Sequence, residues 1–250
     1  MINVSITGIG GQGSVLAARI LAQAAEAKGW QVRSAETIGM AQRGGDVMSH
    51  VRMGNEGEAV FSPLPAKGSV DVLIALEPGE AARSLSYLKK NGLLVVASSG
   101  IAPVMANFKR QTYHPQALID DLRASGVKMV VVDDDELVRR LGEPKALNVM
   151  MLAYAIIAVN KRPDCIDNAL RGAITLEDIE SAIPACVKRK LVSMNQKAIK
   201  VVSRSPASDL PGTISSNLLV TERASSSVML MEGSLERETR KEDQQSWSKK

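Results

Sequence analysis

Two glycine-rich loops, each following a short β-favouring run, constrain this chain more than anything else in it. The first is Gly8-Ile9-Gly10-Gly11-Gln12-Gly13 and the second is Gly39-Met40-Ala41-Gln42-Arg43-Gly44-Gly45. Ahead of the first loop, Ile2 to Thr7 reads as a strand. Behind it, Val15, Leu16, Ile20, Leu21 and Ala24 recur at helical spacing from Ser14 to Lys28, and Gly29 stops the helix. Gly8, Gly10 and Gly13 therefore have the spacing of a dinucleotide fingerprint. Absent side chains let backbone approach a phosphate, and a helix N-terminus offers free N–H groups with partial positive charge. Glu36, closing the second strand, stands where a ribose-binding carboxylate could stand. The same spacing also serves a tight strand-to-helix turn that touches no ligand.

The second loop carries more chemistry than a standard dinucleotide enzyme needs. Arg43 can make a bidentate contact to phosphate or carboxylate, and Gly44-Gly45 lets the backbone turn immediately behind it. A surface loop without a ligand is the competing reading. The candidate binding residues are thus Gly8, Gly10, Gly11, Gln12 and Gly13 from the first loop, and Gln42, Arg43, Gly44 and Gly45 from the second.

The rest of the chain alternates strand and helix signals. Strands are expected over 31–36, 46–53, 70–76, 93–97 and 128–132, with 59–61 pairing as a hairpin after Gly54-Asn55. Helices are expected from Pro78 to Lys90, from Pro115 to about Ser125, and from a cap at Asp133 or Asp134 to Leu141. Three more are expected over 145–159, 176–183 and 184–202, the last opened by Pro184. The expected fold class is α/β, a mostly parallel sheet with helices on both faces and a helical C-terminal portion. Residues 1–202 form the expected domain. Residues 203–250, with Ser225-Ser226-Ser227 and mixed charges, read as a poorly ordered tail.

Composition excludes several classes. Of 250 residues 45% are apolar, enough for one sizeable core, and the net charge of +4 is a small excess on a mixed surface. Aromatic residues make up 3% of the chain, which disfavours nucleic-acid binding by base stacking. Cys165 and Cys186 stand alone, whereas an iron–sulfur cluster takes about four thiolates. The chain by itself is expected to hold no cluster and no metal. The longest apolar run, Val149 to Val159, is short of the roughly 20 residues of a membrane helix, and the first residues lack a secretory pattern, so a cytoplasmic location is expected. His50 reads as a strand residue, His114 as a helix-entry residue, and Asp133 to Glu136 as dipole-complementing residues at a helix start. Asn148, opening an apolar helix, can bond a neighbouring loop or a ligand.

Taken together, the first loop, the stretch from Glu36 through Gly45, Ser49-His50-Val51-Arg52, Ser62-Pro63-Leu64 and Asp71 through Pro78 resemble the gamma-type domain of 2-oxoacid:ferredoxin oxidoreductases. Within that family, Met40 to Gly45 is most similar to the beta subunit of the indolepyruvate type. The resemblance covers about residues 1–202. It implies a complex that decarboxylates aryl 2-oxoacids on thiamine diphosphate, passes electrons through iron–sulfur clusters to ferredoxin, and transfers the acyl group to coenzyme A. Thiamine diphosphate and clusters would sit on a large alpha subunit, and ferredoxin would be reached through it. This chain would complete the assembly, be inactive alone, and contact coenzyme A through the two loops. Two other readings stay open at this stage: a stand-alone NAD- or FAD-binding oxidoreductase, and an assembly subunit whose loops touch no ligand.

Overall fold

The computed structural model describes residues 1–39, 45–101, 113–161 and 171–204. Six strands form one sheet: β1 (Ile2–Ile9), β2 (Gln31–Ile38), β3 (Asp46–Gly54), β4 (Val70–Ala75), β5 (Leu88–Ala97) and β6 (Met129–Val132), in the order β2-β3-β1-β4-β5-β6. β1, β4, β5 and β6 run parallel, while β3 is antiparallel to both of its neighbours, β1 and β2. The described helices are α1 (Ser14–Ala27), α2 (Pro78–Ser84), α3 (Pro115–Ala124), α4 (Asp134–Leu141), α5 (Leu147–Lys161), α6 (Leu176–Cys186) and α7 (Arg189–Ser203). The α/β class and the mostly parallel sheet follow the sequence reading.

Period-two alternation decides what each face buries. Val4 and Ile6 of β1, Val51 and Met53 of β3, Val72 and Ile74 of β4, and Leu93 and Val95 of β5 point to one face. There they meet α1, α4, α5, α6 and α7. On the other face Leu73, Leu94 and Val96 pack under α2 and α3, with Ile119 and Leu122 fully or almost fully buried. α5 is apolar nearly all round because the sheet and its neighbouring helices enclose it, and Asn148 to Ala155 are all buried.

Three expectations are corrected. The helix from Pro78 ends at Ser84, passes through a single 3-10 turn, and gives way to β5 at Leu88 rather than running to Lys90. Leu88 pairs with Val70, the register then jumps to Val72–Leu93, and Lys89 forms an ion pair with the buried Asp71. Asn91-Gly92 therefore lies in a bulge inside a strand. A Cβ on Gly92 would stand 2.7 Å from Leu88 Cδ1 and 3.0 Å from the Asp71 carbonyl, so only glycine fits that approach.

Residues 59–61 form no strand. After β3 the chain makes a 3-10 turn over Asn55–Gly57, and the Val60 N–H donates to Gln31 Oε1 at 3.0 Å instead of to a ladder. Pro184 lies inside α6, and the break comes at Val187-Lys188. Thr175 and Asp178 set the start of that helix with a reciprocal capping box. The expected tail falls on residues 203–250, of which only Ser203 and Arg204 are described.

Candidate functional site

The sheet changes winding direction between β1 and β4. From β1 the chain crosses by α1 toward β2; from β4 it crosses by α2 toward β5. In open α/β sheets, ligands bind outside the carboxyl ends of strands at such a switch point. The first glycine loop sits there, at the end of β1 and the start of α1.

Each glycine of that loop has a different task. Gly8 packs where a Cβ would lie 2.8 Å from Gln12 Oε1 and 3.1 Å from Leu76 Cβ. The Gly10 N–H donates to the Gly45 carbonyl at 2.9 Å. Gly11 takes φ +108° on the surface. Gly13 takes φ +84° at the N-cap of α1, where no side chain caps the helix. The first amides of α1 are thus left for water or a ligand.

Two side-chain amides hold this loop. Gln12 Oε1 accepts the Ile9 N–H at 2.7 Å and its Nε2 donates to the Leu76 carbonyl at 2.9 Å, bridging the ends of β1 and β4. Asn148, at the start of α5, donates from Nδ2 to the Gly13 carbonyl at 2.9 Å, the loop contact expected of it. Its Oδ1 is buried and has no partner.

The second loop joins the first through Gly45. Its base is closed by the Gly39 N–H donating to the Asp46 carbonyl at 2.8 Å. Gln42, Arg43 and Gly44 lie outside the described residues. Glu36 does not neighbour the first loop, because β3 stands between β2 and β1. A carboxylate on β2 is therefore one strand spacing farther away than in a fold where β2 pairs with β1, about 4.8 Å.

Glu77, inside the Asp71–Pro78 stretch, joins this corner of the molecule without any sequence expectation of a role. It is buried at the end of β4, caps α2 by accepting the Glu80 N–H on Oε2 at 2.9 Å, and keeps Oε1 unpartnered. Burial pushes its pKa up, opposed by the backbone hydrogen bonds from Gly79 and Glu80. The legible signal was Glu77-Pro78 at a strand-to-helix junction, with proline at the first helical position. Nearby, Arg83 pairs with the buried Glu80, and the Gly79 N–H donates to the Tyr113 hydroxyl at 3.1 Å.

Asp133 caps α4 through the Glu136 N–H at 2.9 Å, and the buried Asp134 carboxylate accepts from the Ser99 N–H at 2.9 Å and the Ser98 hydroxyl at 3.1 Å. His114 precedes α3 without a side-chain cap bond. Cys186 is half-buried with its pKa pushed up by burial, and Cys165 lies outside the described residues. Among the described residues no group of three or more His, Cys, Asp or Glu could hold a metal ion, and no helix is long and apolar enough to cross a membrane.

His50 is 1% exposed, bonds Ser5 Oγ through Nδ1 at 2.8 Å, and lies against the Tyr87 ring. Burial lowers its pKa from 6.5. On acidification the unfolded chain therefore takes up a proton at this position before the folded chain does. The stability tied to neutral His50 is present above pH 6.5 and is lost as pH falls from there toward the folded pKa. Urea midpoints of the chain should drop across that window, and His50→Gln should show a shallower drop. Parallel profiles for the two proteins would contradict this.

Comparison with known proteins agrees with this geometry. Residues 3–204 match the family model described as pyruvate ferredoxin/flavodoxin oxidoreductase. Indolepyruvate oxidoreductase subunit IorB of Archaeoglobus fulgidus is 33% identical over 214 residues, covering 85% of this chain and 99% of that protein. The protein of the same name from Thermococcus kodakarensis is 31% identical over 204 residues, covering 80% and 93%. Among solved structures, the gamma subunit of a keto/oxoacid ferredoxin oxidoreductase from Geobacter sulfurreducens shares the fold with a TM-score of 0.54 and 22% identity, over 81% of this chain and 96% of that one.

Proposed function

The chain belongs to the pyruvate ferredoxin/flavodoxin oxidoreductase family, and on that premise we propose that it is the small subunit of an indolepyruvate-type 2-oxoacid:ferredoxin oxidoreductase. The relatives that it matches over nearly their whole length carry the name of such a subunit. Its partner would be a large subunit holding thiamine diphosphate and iron–sulfur clusters, which supply decarboxylation and electron transfer to ferredoxin. The overall conversion would take an aryl 2-oxoacid and coenzyme A to an acyl-CoA.

The observation that carries a ligand role for this chain is the Gly10–Gly45 hydrogen bond. It sets Gly45, the last residue of the second glycine-rich stretch, against the first loop, at the switch point and beside the uncapped start of α1. Backbone N–H groups and the α1 dipole favour an anion there. Arg43 would add a planar fork for a phosphate of coenzyme A. Gly13, Gln12 and Asn148 keep the cradle in shape.

The test is reconstitution with the large subunit. The small chain alone should be colourless and inactive with indolepyruvate, and the assembled complex active. A brown, active preparation of the isolated chain would refute the subunit assignment. In the complex, Arg43→Ala removes a charge-assisted hydrogen bond of about 1.5–3 kcal/mol, so the KM for coenzyme A should rise roughly tenfold to a hundredfold. Arg43→Lys should rescue little, because a point charge does not reproduce the fork. A complex that forms normally with unchanged KM and turnover would remove coenzyme A from these loops. Failure to assemble would place Arg43 in the subunit interface.

A further inference from the structure

Helix α7 departs from a rule that its neighbours keep. The start of a helix is its positive end, so carboxylates are favoured there and cations at the far end. α4 opens on Asp134, Asp135 and Glu136 and closes on Arg139 and Arg140. α6 opens on Glu177 and Asp178. α7 instead has Lys188 at its N-cap, then Arg189 and Lys190, and from Arg189 to Ser203 it contains no Asp or Glu.

The cations also share one side. At about 100° per residue, Arg189, Lys190, Lys197, Lys200 and Arg204 fall within an arc of about 100°. All five are exposed, while Asn195, Ala198, Ile199 and Val202 on the other side are buried. The stripe is about 22 Å long at the helical rise. Lys197 and Lys200 are three residues apart, Lys200 and Arg204 four, the spacings at which like charges repel. Among the described residues the one carboxylate within ion-pair reach is Glu180, 3.9 Å from Lys200. Asp178 of α6 is engaged by Lys28. Folding needs only the buried side of α7. Self-repelling charge on the other side opposes both the helix dipole and its own neighbours, a local conflict of the kind that marks a functional surface.

We propose that this stripe docks the carboxylate-rich face of a protein electron carrier, a ferredoxin, on the assembled complex; the inference rests on the subunit reading. Carboxylates relieve the repulsion along the whole stripe. The large apolar residues exposed among those described are Met1, Ile38, Phe61, Leu64 and Ile101, none of them on α7. A permanent subunit interface has an apolar core, whereas electron-transfer encounters are small and steered by charge. A second copy of the chain, packed about a two-fold axis, would set this stripe against itself. Binding to a lipid surface would need an exposed apolar side on the helix.

The experiment is steady-state kinetics of the reconstituted complex with indolepyruvate and coenzyme A. Ferredoxin is titrated as acceptor, and methyl viologen serves as an acceptor that needs no docking. The double variant Lys190→Glu, Lys197→Glu should raise the KM for ferredoxin roughly tenfold at low salt, with turnover and the viologen rate unchanged. The difference should shrink as salt shortens the screening length toward about 3 Å at 1 M. Ferredoxin with amidated carboxylates should show a raised KM with the wild-type complex. Arg204→Glu, just past the helix, should shift the KM in the same direction and decides the question if the double variant does not fold. An unchanged KM overturns the proposal, as does a rise that salt leaves intact. Loss of viologen activity together with ferredoxin activity also overturns it and assigns α7 to the subunit interface. Tighter binding of duplex DNA than of ferredoxin by the wild-type complex overturns it too. A wild-type chain that does not assemble with the large subunit removes the subunit reading first, and the docking role with it.

Discussion

Gly13→Val is expected to remove about 2–6 kcal/mol of folding stability, a large share of the roughly 5–15 kcal/mol that a domain possesses. Two effects add. Gly13 sits at φ +84°, a conformation that a β-branched residue adopts only under strain of about 1–3 kcal/mol. Its Cβ would also stand 2.6 Å from Asn148 Nδ2 and 3.1 Å from Asn148 Cγ. Asn148 would have to swing away, the Gly13 carbonyl would lose its bond, and a buried amide would be left unpaired for about 1–3 kcal/mol more. Gly11→Val separates the two effects. Gly11 is at φ +108°, but nothing lies within 4 Å of a Cβ there, so only the backbone strain applies. Urea titration of the isolated chain should rank wild type above Gly11→Val and Gly11→Val above Gly13→Val. Equal midpoints for the two variants would show that Asn148 accommodates the side chain, and that its contact with Gly13 adds no stability.

The contrast between these glycines marks the limit of what the sequence discloses. The spacing of Gly8, Gly10 and Gly13 between a strand and a helical repeat announces the turn, because local chain geometry alone requires it. Which glycine is crowded depends on Asn148, 135 residues later, and no local pattern carries that. The same division runs through the fold. Strands β1, β4 and β6 and helices α1 and α3 were legible because their apolar spacing reflects a single burial environment.

The helix expected over 78–90 failed for a non-local reason. Ala81, Leu85 and Leu88 keep helical spacing, but Leu88 is claimed by Val70 and Lys89 by Asp71. Asn91-Gly92 has the composition of a helix stop and is a strand bulge. Ala59 to Phe61 is a short apolar run after a Gly-Asn turn, yet the Val60 amide donates to the Gln31 side chain rather than to a ladder. Glu36 was legible as a chemically available carboxylate at a strand end. Its place was not, because the intervening β3 is a fact of topology. That displacement takes it away from the first glycine loop and onto the lining of a cavity between α1 and the β2–β3 edge.

Gln12→Leu is expected to destabilise the isolated chain by about 2–4 kcal/mol, since a buried or half-buried polar group left without its partner costs about 1–3 kcal/mol. The substitution keeps the side chain near its original size and takes partners from the Ile9 N–H and the Leu76 carbonyl together. From the sequence Gln12 reads as a ligand contact. In the structure its carboxamide ties the end of β1 to the end of β4, and the two roles make different predictions. A residue that only meets ligand would leave the urea midpoint of the ligand-free chain unchanged. A residue that closes the switch point lowers it. Gln12→Glu sharpens the comparison. A carboxylate retains an acceptor for Ile9 but sets negative charge against the Leu76 carbonyl, so this variant should be weak at neutral pH and recover on acidification, when the carboxyl can donate again. Because Gly10 bonds Gly45, a loosened first loop also loosens the base of the second. Any loss of coenzyme A affinity in Gln12 variants of the assembled complex should then scale with their loss of stability, whereas Arg43→Ala should lose affinity at full stability.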